Sequence, residues 1–220
     1  MDRQDFNARL DANGWCITAA AASTPADLLD EMLAFARTLG EIAPGRSHQL
    51  VERIIPQTAE TAFAGSLSSR YGLGTLPLHT DTAHWSRPCR YLVMACAEPG
   101  PVPTPTLLVD AWHARLSELE ELACSRAVFL VRNGRRSFYG SIRERNRGFI
   151  RFDPGCMTPV SCDGEIALRA FSPDRQKDAL RRHDWKTHEI LVIDNWRVLH
   201  GRGDGVRIAP GRVLLRAMVQ

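Results

Sequence analysis

Residues 76–85 read LPLHTDTAHW. On an extended chain alternate side chains share a face, so His79 and Asp81 point the same way and can converge on one metal ion. A third ligand has to come from elsewhere. Residues 190–202 read ILVIDNWRVLHGR, an apolar strand running into a polar turn, and His200 stands where such a strand end holds a ligand rigidly yet open to substrate. Two imidazoles and one carboxylate match the facial triad of non-haem iron(II) oxygenases, which leaves three coordination positions for a cosubstrate and O2. The same donor types also bind zinc, so at this point they leave the metal open.

Residues 211–220, GRVLLRAMVQ, continue the argument. By the same period of two, Arg212, Leu214 and Arg216 lie on one face of a strand. Arginines buried on an apolar strand are costly without an anion. A bound carboxylate answers that cost, because guanidinium grips it in a two-pronged fork. The other reading is an exposed edge strand whose arginines meet solvent.

The rest of the chain reads as many short strands with few helices. Thr24 caps a helix begun by Pro25 and ended by Gly40. A second helix is expected over Asp110–Cys124, and a short polar one from Ser172 to about Arg182. Strands are expected over Leu50–Ile55, Arg90–Cys96, Thr106–Val109, Ala127–Val131, Ser137–Tyr139, Phe149–Phe152, Glu189–Asp194 and Arg212–Val219, with loop from Pro56 to Leu78. So few helices cannot alternate with so many strands in a doubly wound parallel sheet, which leaves a mainly β, α+β sandwich or barrel.

The 220 residues, 44 % hydrophobic and 24 % charged, suit one domain over 1–220 with a sizeable core. The six cysteines include no CxxC pair and several sit in apolar runs, which points to reduced thiols and a cytoplasmic protein. No apolar run approaches the ~20 residues that span a bilayer, and the mixed charges of the first 15 residues do not make a signal peptide. A net charge of +3 is too mild to argue for nucleic acid.

Four motifs in order, LPLHTD (76–81), TPTLLVD (104–110), DNWRVLHGR (194–202) and RVLLR (212–216), resemble the TauD/TfdA family, the taurine dioxygenase and clavaminate synthase-like branch of iron(II)/2-oxoglutarate oxygenases. The resemblance spans Leu76 to Arg216, about two-thirds of the chain. It implies a double-stranded β-helix, or jelly roll, with His79, Asp81 and His200 as iron ligands. It implies 2-oxoglutarate as cosubstrate, its distal carboxylate on Arg212 with help from Thr106, and Arg216 nearer the substrate or the cosubstrate's inner end. Asp81 retains the carboxylate that family halogenases lack, which argues for hydroxylation or a related oxidation of a small molecule over halogenation, with release of succinate and CO2. The interval from Asp81 to His200 is shorter than in the best-known members, so their substrates cannot be borrowed.

Ser69, Arg70, Tyr71 and Trp85 flank the iron motif and are candidate substrate contacts, although loop polarity and packing explain them as well. Between Arg132 and Arg151 stand Arg132, Arg135, Arg136, Arg143, Arg145, Arg147 and Arg151. They form either a basic loop that recruits an anionic or carrier-bound substrate or a solvated hairpin. The competing class is a non-catalytic jelly-roll protein that binds a ligand; desaturation, cyclisation or epimerisation would share the same cofactors.

Overall fold

The computed structural model describes residues 2–45, 48–134, 136–144, 148–204 and 211–220. The N-terminal part runs α1 (Arg3–Asn13), β1 (Trp15–Ala19), α2 (Pro25–Leu39), β2 (Ile42–Ala43), β3 (Glu52–Ile54), α3 (Leu67–Tyr71) and β4 (Leu76–His79). The middle runs β5 (Tyr91–Glu98), β6 (Thr106–Asp110), α4 (Glu118–Arg126), β7 (Phe129–Asn133), β8 (Arg136–Gly140), β9 (Met157–Pro159) and α5 (Gly164–Ala170). Last come β10 (Arg181–His183), β11 (Glu189–Asp194), β12 (Val198–Arg202) and β13 (Val213–Val219).

Two antiparallel sheets carry the site. One has the order β1-β11-β5-β13-β2, with β3 also pairing to β13; the other has β10-β6-β12-β4. A third sheet, β8-β7-β9, stands apart from both. The alternation of side chains along the strands sorts the apolar residues into layers. Leu191, Ile193, Leu92, Met94 and Leu214 of the first sheet meet Leu108 and Val198 of the second in the core between them. Ile190, Val192, Val93, Ala95 and Ala217 face outward onto α1 and α2. Leu107, Val109, Leu199 and Leu78 face the other way, onto α4, α5 and the third sheet. Two facing sheets with helices on the outside are the double-stranded β-helix that the sequence resemblance implies.

Local chemistry sets the edges. Thr24 and Asp27 form a reciprocal capping box at the start of α2, worth about 1 kcal/mol. Gly14 ends α1 at φ +82°, and a Cβ there would strike Val198 Cγ2 at 2.5 Å, so only glycine lets α1 close over the start of β12. Arg197 locks the same corner: it grips Asp110 Oδ2 through Nε at 2.9 Å and Nη2 at 2.6 Å, and donates to Asp11 O and Ala12 O.

Several expectations move. The helix predicted over Asp110–Cys124 starts only at Ser117, which caps α4; Asp110 is occupied by Arg197 and His113. The helix expected from Ser172 is a run of turns that ends in β10, and the helix of that region is α5. Phe149–Phe152 is no strand but a buried extended segment with one bridge, Arg143 to Ile150. The expected Pro56–Leu78 loop holds α3 and most of β4. Helix α1 and strand β1 add to the expected elements. No helix among the described residues is long and apolar enough to cross a membrane.

Candidate functional site

Strand β4 ends at His79, which pairs in register with His200 in the middle of β12; their rings lie 4.4 Å apart at 46°. His200 is thus a mid-strand residue, not the start of a turn. Gly201 permits the approach: a Cβ there would sit 2.7 Å from Leu76 O. Beyond β4 the chain turns, and Asp81 comes round to the same point. His79, Asp81 and His200 each offer one donor atom, all within 4.8 Å of one another.

The turn is fixed from behind. Asn195 accepts from Asp81 N at 2.8 Å and donates to Asp81 O at 3.1 Å and Cys89 O at 2.8 Å. The Thr80 hydroxyl donates to Ile150 O, and Thr80 N donates to Phe152 O at 2.6 Å. Thr82 takes φ +54°, and its hydroxyl donates a hydrogen bond to Asp81 O at 2.7 Å. Arg151, wholly buried, donates to the carbonyls of Ala83, Trp85 and Ser86 and pairs with Glu144.

Electrostatics prepare the donors. His79 Nδ1 lies 2.9 Å from Pro77 O, a contact that places the proton there and leaves Nε2 as the free donor. Burial, with the neighbouring His79 imidazole adding to it, pushes His200 down to about 3 against the pull of Asp81, so its imidazole is neutral. Asp81 Oδ2 faces His200 Nε2 at 3.9 Å and accepts from Arg216 Nη1 at 2.6 Å. Arg216 also pairs with Glu52, its register partner on β3. Burial works against the Arg216 charge, but the two carboxylates outweigh it and raise its pKa above the ordinary arginine value.

Arg212 differs. It is 6 % exposed, donates to Thr104 O at 2.8 Å, and has no carboxylate at ion-pair distance among the described residues. Burial pulls it down to about 10, with Arg202 adding to the effect. Arg202, also held near 10 by burial, grips Gly72 O and Gly74 O. Thr106, the register partner of Arg202, is buried at the same end. A buried cationic end beside a two-histidine, one-carboxylate cluster fits iron(II) and a dicarboxylate such as 2-oxoglutarate.

The remaining candidates are less committed. Ser69 and Arg70 lie on α3, the Ser69 hydroxyl bonded to Ser66 O and Arg70 to Pro154 O; Tyr71 is exposed. Trp85 packs, partly buried, against the core between the sheets. Within the basic stretch, Arg143 is bonded to Ala111 O and Glu121, and Arg151 is buried, so neither serves a recruiting loop; Arg132 and Arg136 are exposed. Arg135, Arg145 and Arg147 lie outside the described residues. Sequence reasoning missed Asn195 and Glu52, and placed Arg151 in a basic loop where the structure buries it behind the turn. The Asp-Asn pair before His200 was a signal for Asn195; nothing local marked Glu52.

Comparison with known proteins follows the same lines. The family model described as "Taurine catabolism dioxygenase TauD, TfdA family" matches residues 119–218. No curated protein sequence matches the chain. The fold is similar to that of asparagine oxygenase in complex with Fe(II), 2S,3S-3-hydroxyasparagine and succinate: TM-score 0.79, 16 % identity, covering 99 % of this chain and 78 % of that one. It is also similar to the non-heme iron oxygenase OrfP with Fe, succinate and (3S)-hydroxy-L-Arg (TM-score 0.71, 19 % identity, 99 % and 80 % covered). PvcB of Pseudomonas aeruginosa gives 0.68 at 18 % identity, with 100 % and 80 % covered.

Proposed function

We infer that this chain is a member of the TauD/TfdA family of iron(II)- and 2-oxoglutarate-dependent oxygenases, and that it hydroxylates an unactivated C–H bond of an amino acid or a close derivative. One observation carries the reading: the donor atoms of His79, Asp81 and His200 meet within 4.8 Å of one another, and on the same sheets the buried Arg212 has no carboxylate at ion-pair distance among the described residues. The hydroxyasparagine and hydroxyarginine held by asparagine oxygenase and OrfP support the substrate class.

His79, Asp81 and His200 would hold the metal, and Arg212 with Thr106 the far carboxylate of 2-oxoglutarate. Bound together, iron(II), 2-oxoglutarate and O2 supply oxidation of a C–H bond with release of succinate and CO2. The chain's own work is orientation. Pro77 O aims the His79 ring, Asn195 fixes the backbone of Asp81, and Arg216 balances the Asp81 charge. Leu108, Met94 and Leu214 keep the floor dry. Ser69, Arg70, Tyr71 and Trp85 are the substrate-side candidates. The catalytic unit is one domain over residues 1–220, and its six unpaired thiols suit a reducing cytoplasm.

Mixed anaerobically with iron(II) and 2-oxoglutarate, the protein is expected to show a weak visible charge-transfer band. In air, succinate release should rise with the right member of an amino-acid panel headed by asparagine and arginine. His79→Ala should lose both signals. Full succinate release from His79→Ala, at unchanged iron content, refutes the reading.

A further inference from the structure

The Thr106 hydroxyl is only half accounted for. The Trp185 indole N–H donates to its oxygen at 2.9 Å, and no described residue accepts the hydroxyl's own proton. Both residues are buried, Thr106 at 4 % and Trp185 at 7 % exposure. Trp185 stands two residues beyond His183, the register partner of Thr106 on β10. The Trp185 and His183 rings meet edge to face, 4.7 Å between centroids, and His183 Nε2 lies 3.3 Å from Glu189. The indole is therefore braced. Arg212 reaches the same end, donating to Thr104 O two residues before Thr106.

A hydroxyl offers one proton and two lone pairs, and rotates to suit its partners. Beside an anion, a free rotor turns a lone pair toward the negative charge in part of its orientations. With a donor fixed on one lone pair, that choice narrows, and the polarised O–H becomes a better donor. We propose that Trp185 is a positioning residue for 2-oxoglutarate: its N–H commits the Thr106 hydroxyl to donating its proton to the carboxylate that Arg212 holds. The inference rests on the oxygenase reading above. The indole N–H is spent on Thr106, so the effect of Trp185 on the cosubstrate is to travel through that one hydroxyl.

The test needs no turnover. Protein loaded with Mn(II) under anaerobic conditions is titrated with 2-oxoglutarate by calorimetry. Trp185→Phe keeps the ring and deletes the N–H; its affinity for 2-oxoglutarate should fall about tenfold, the scale of one hydrogen bond to a charged group. Thr106→Val should lose at least as much. The double variant should be no weaker than Thr106→Val alone, because the indole then has nothing to orient. Mn(II) affinity, read from the paramagnetic resonance of the free ion, should stay at the wild-type value in all three, which a general loosening of the fold would not allow. Wild-type cosubstrate affinity in Trp185→Phe, or an equal loss in both backgrounds, overturns the proposal. A second readout does not require Trp185→Phe to fold. In Zn(II)-loaded protein labelled with 15N-tryptophan, the indole N–H resonance displaced by Thr106→Val should be one that 2-oxoglutarate shifts. A cosubstrate shift confined to other indoles also overturns the proposal. Wild-type protein that takes up Mn(II) but no 2-oxoglutarate sinks the oxygenase reading itself, and this inference with it.

Discussion

Arg151 and Arg212 are both buried arginines, and the chain treats them in opposite ways. Arg151, behind the His79–Asp81 turn, spends its guanidinium on Ala83, Trp85 and Ser86 carbonyls and on Glu144. Arg212, at the other end of the site, donates to the Thr104 carbonyl and meets no carboxylate among the described residues. Arg216, four residues along the strand, sides with Arg151, since Asp81 and Glu52 both pair with it. A buried cation that finds its acceptors inside the chain is part of the scaffold. One that does not has a place kept for an anion from outside.

The contrast breaks first at Arg151. Arg151→Met would leave the Ala83 and Trp85 carbonyls without the Arg151 donor and remove one cation from beside Glu144. The expected loss of stability is about 3–5 kcal/mol, read from the denaturant midpoint. An unshifted midpoint would mean that Arg151 is not part of the scaffold. Arg212→Met should do the reverse. The metal-loaded variant without cosubstrate should hold its stability or gain about 1 kcal/mol, because a poorly compensated charge leaves the interior. Its affinity for 2-oxoglutarate should fall about 100-fold, on the scale of losing one partner of a buried charge pair. In a thermal scan, wild type gains about 2.7 kcal/mol at 100 times the dissociation constant, and Arg212→Met gains almost nothing at the same concentration. Equal cosubstrate protection in the two proteins would erase the distinction.

The two regions also differ in how far they could be read from sequence. The period of two predicts Arg212, Leu214 and Arg216 on one face; Leu214 lies in the core between the sheets and Arg216 reaches Asp81, while Arg212 stands just before the strand, next to a register shift at Val213/Leu214. The HxD spacing and the distal histidine led to the cluster without any knowledge of pairing. The scaffold side was opaque because its partners are remote: Asn195 holds a turn 114 residues away, and Arg151 holds carbonyls 65 to 68 residues away. Side-chain-to-carbonyl bonds leave no motif. Strand β4 was hidden for another reason: four residues containing Pro77 carry too little pattern to separate from loop. Among its described side chains, helix α1 turns Phe6 and Leu10 into the core and leaves the rest exposed.

Asn195 sharpens the contrast on the metal side. Asn195→Ala removes the acceptor for Asp81 N and the donor to Asp81 O and Cys89 O, while all three ligand side chains remain. Metal affinity should fall about 10- to 100-fold, the usual effect of losing a residue that orients a ligand. Cosubstrate affinity at saturating metal should change much less. A loss of 2-oxoglutarate binding as large as in Arg212→Met would mean that the two ends of the site are not separable.

The smallest expected effect lies beside the anion end, in the response to acid. Burial lowers the His183 pKa from its ordinary 6.5, against the pull of Glu189 and Asp184 and with Lys186 adding to the shift. In the unfolded chain the same imidazole takes up its proton at the ordinary pH. The folded protein therefore binds fewer protons than the unfolded one as the pH falls below about 6.5, and stability drops as the medium becomes more acid. One group contributes a slope of at most about 1.4 kcal/mol per pH unit, and the slope ends once the folded imidazole is protonated too. His183→Leu should flatten the stability profile between the two pKa values by that single proton. Because the His183 ring braces Trp185, the variant also asks whether the anion end feels acid through its scaffold: an unchanged slope in His183→Leu would mean that the brace is not charged by acid at all.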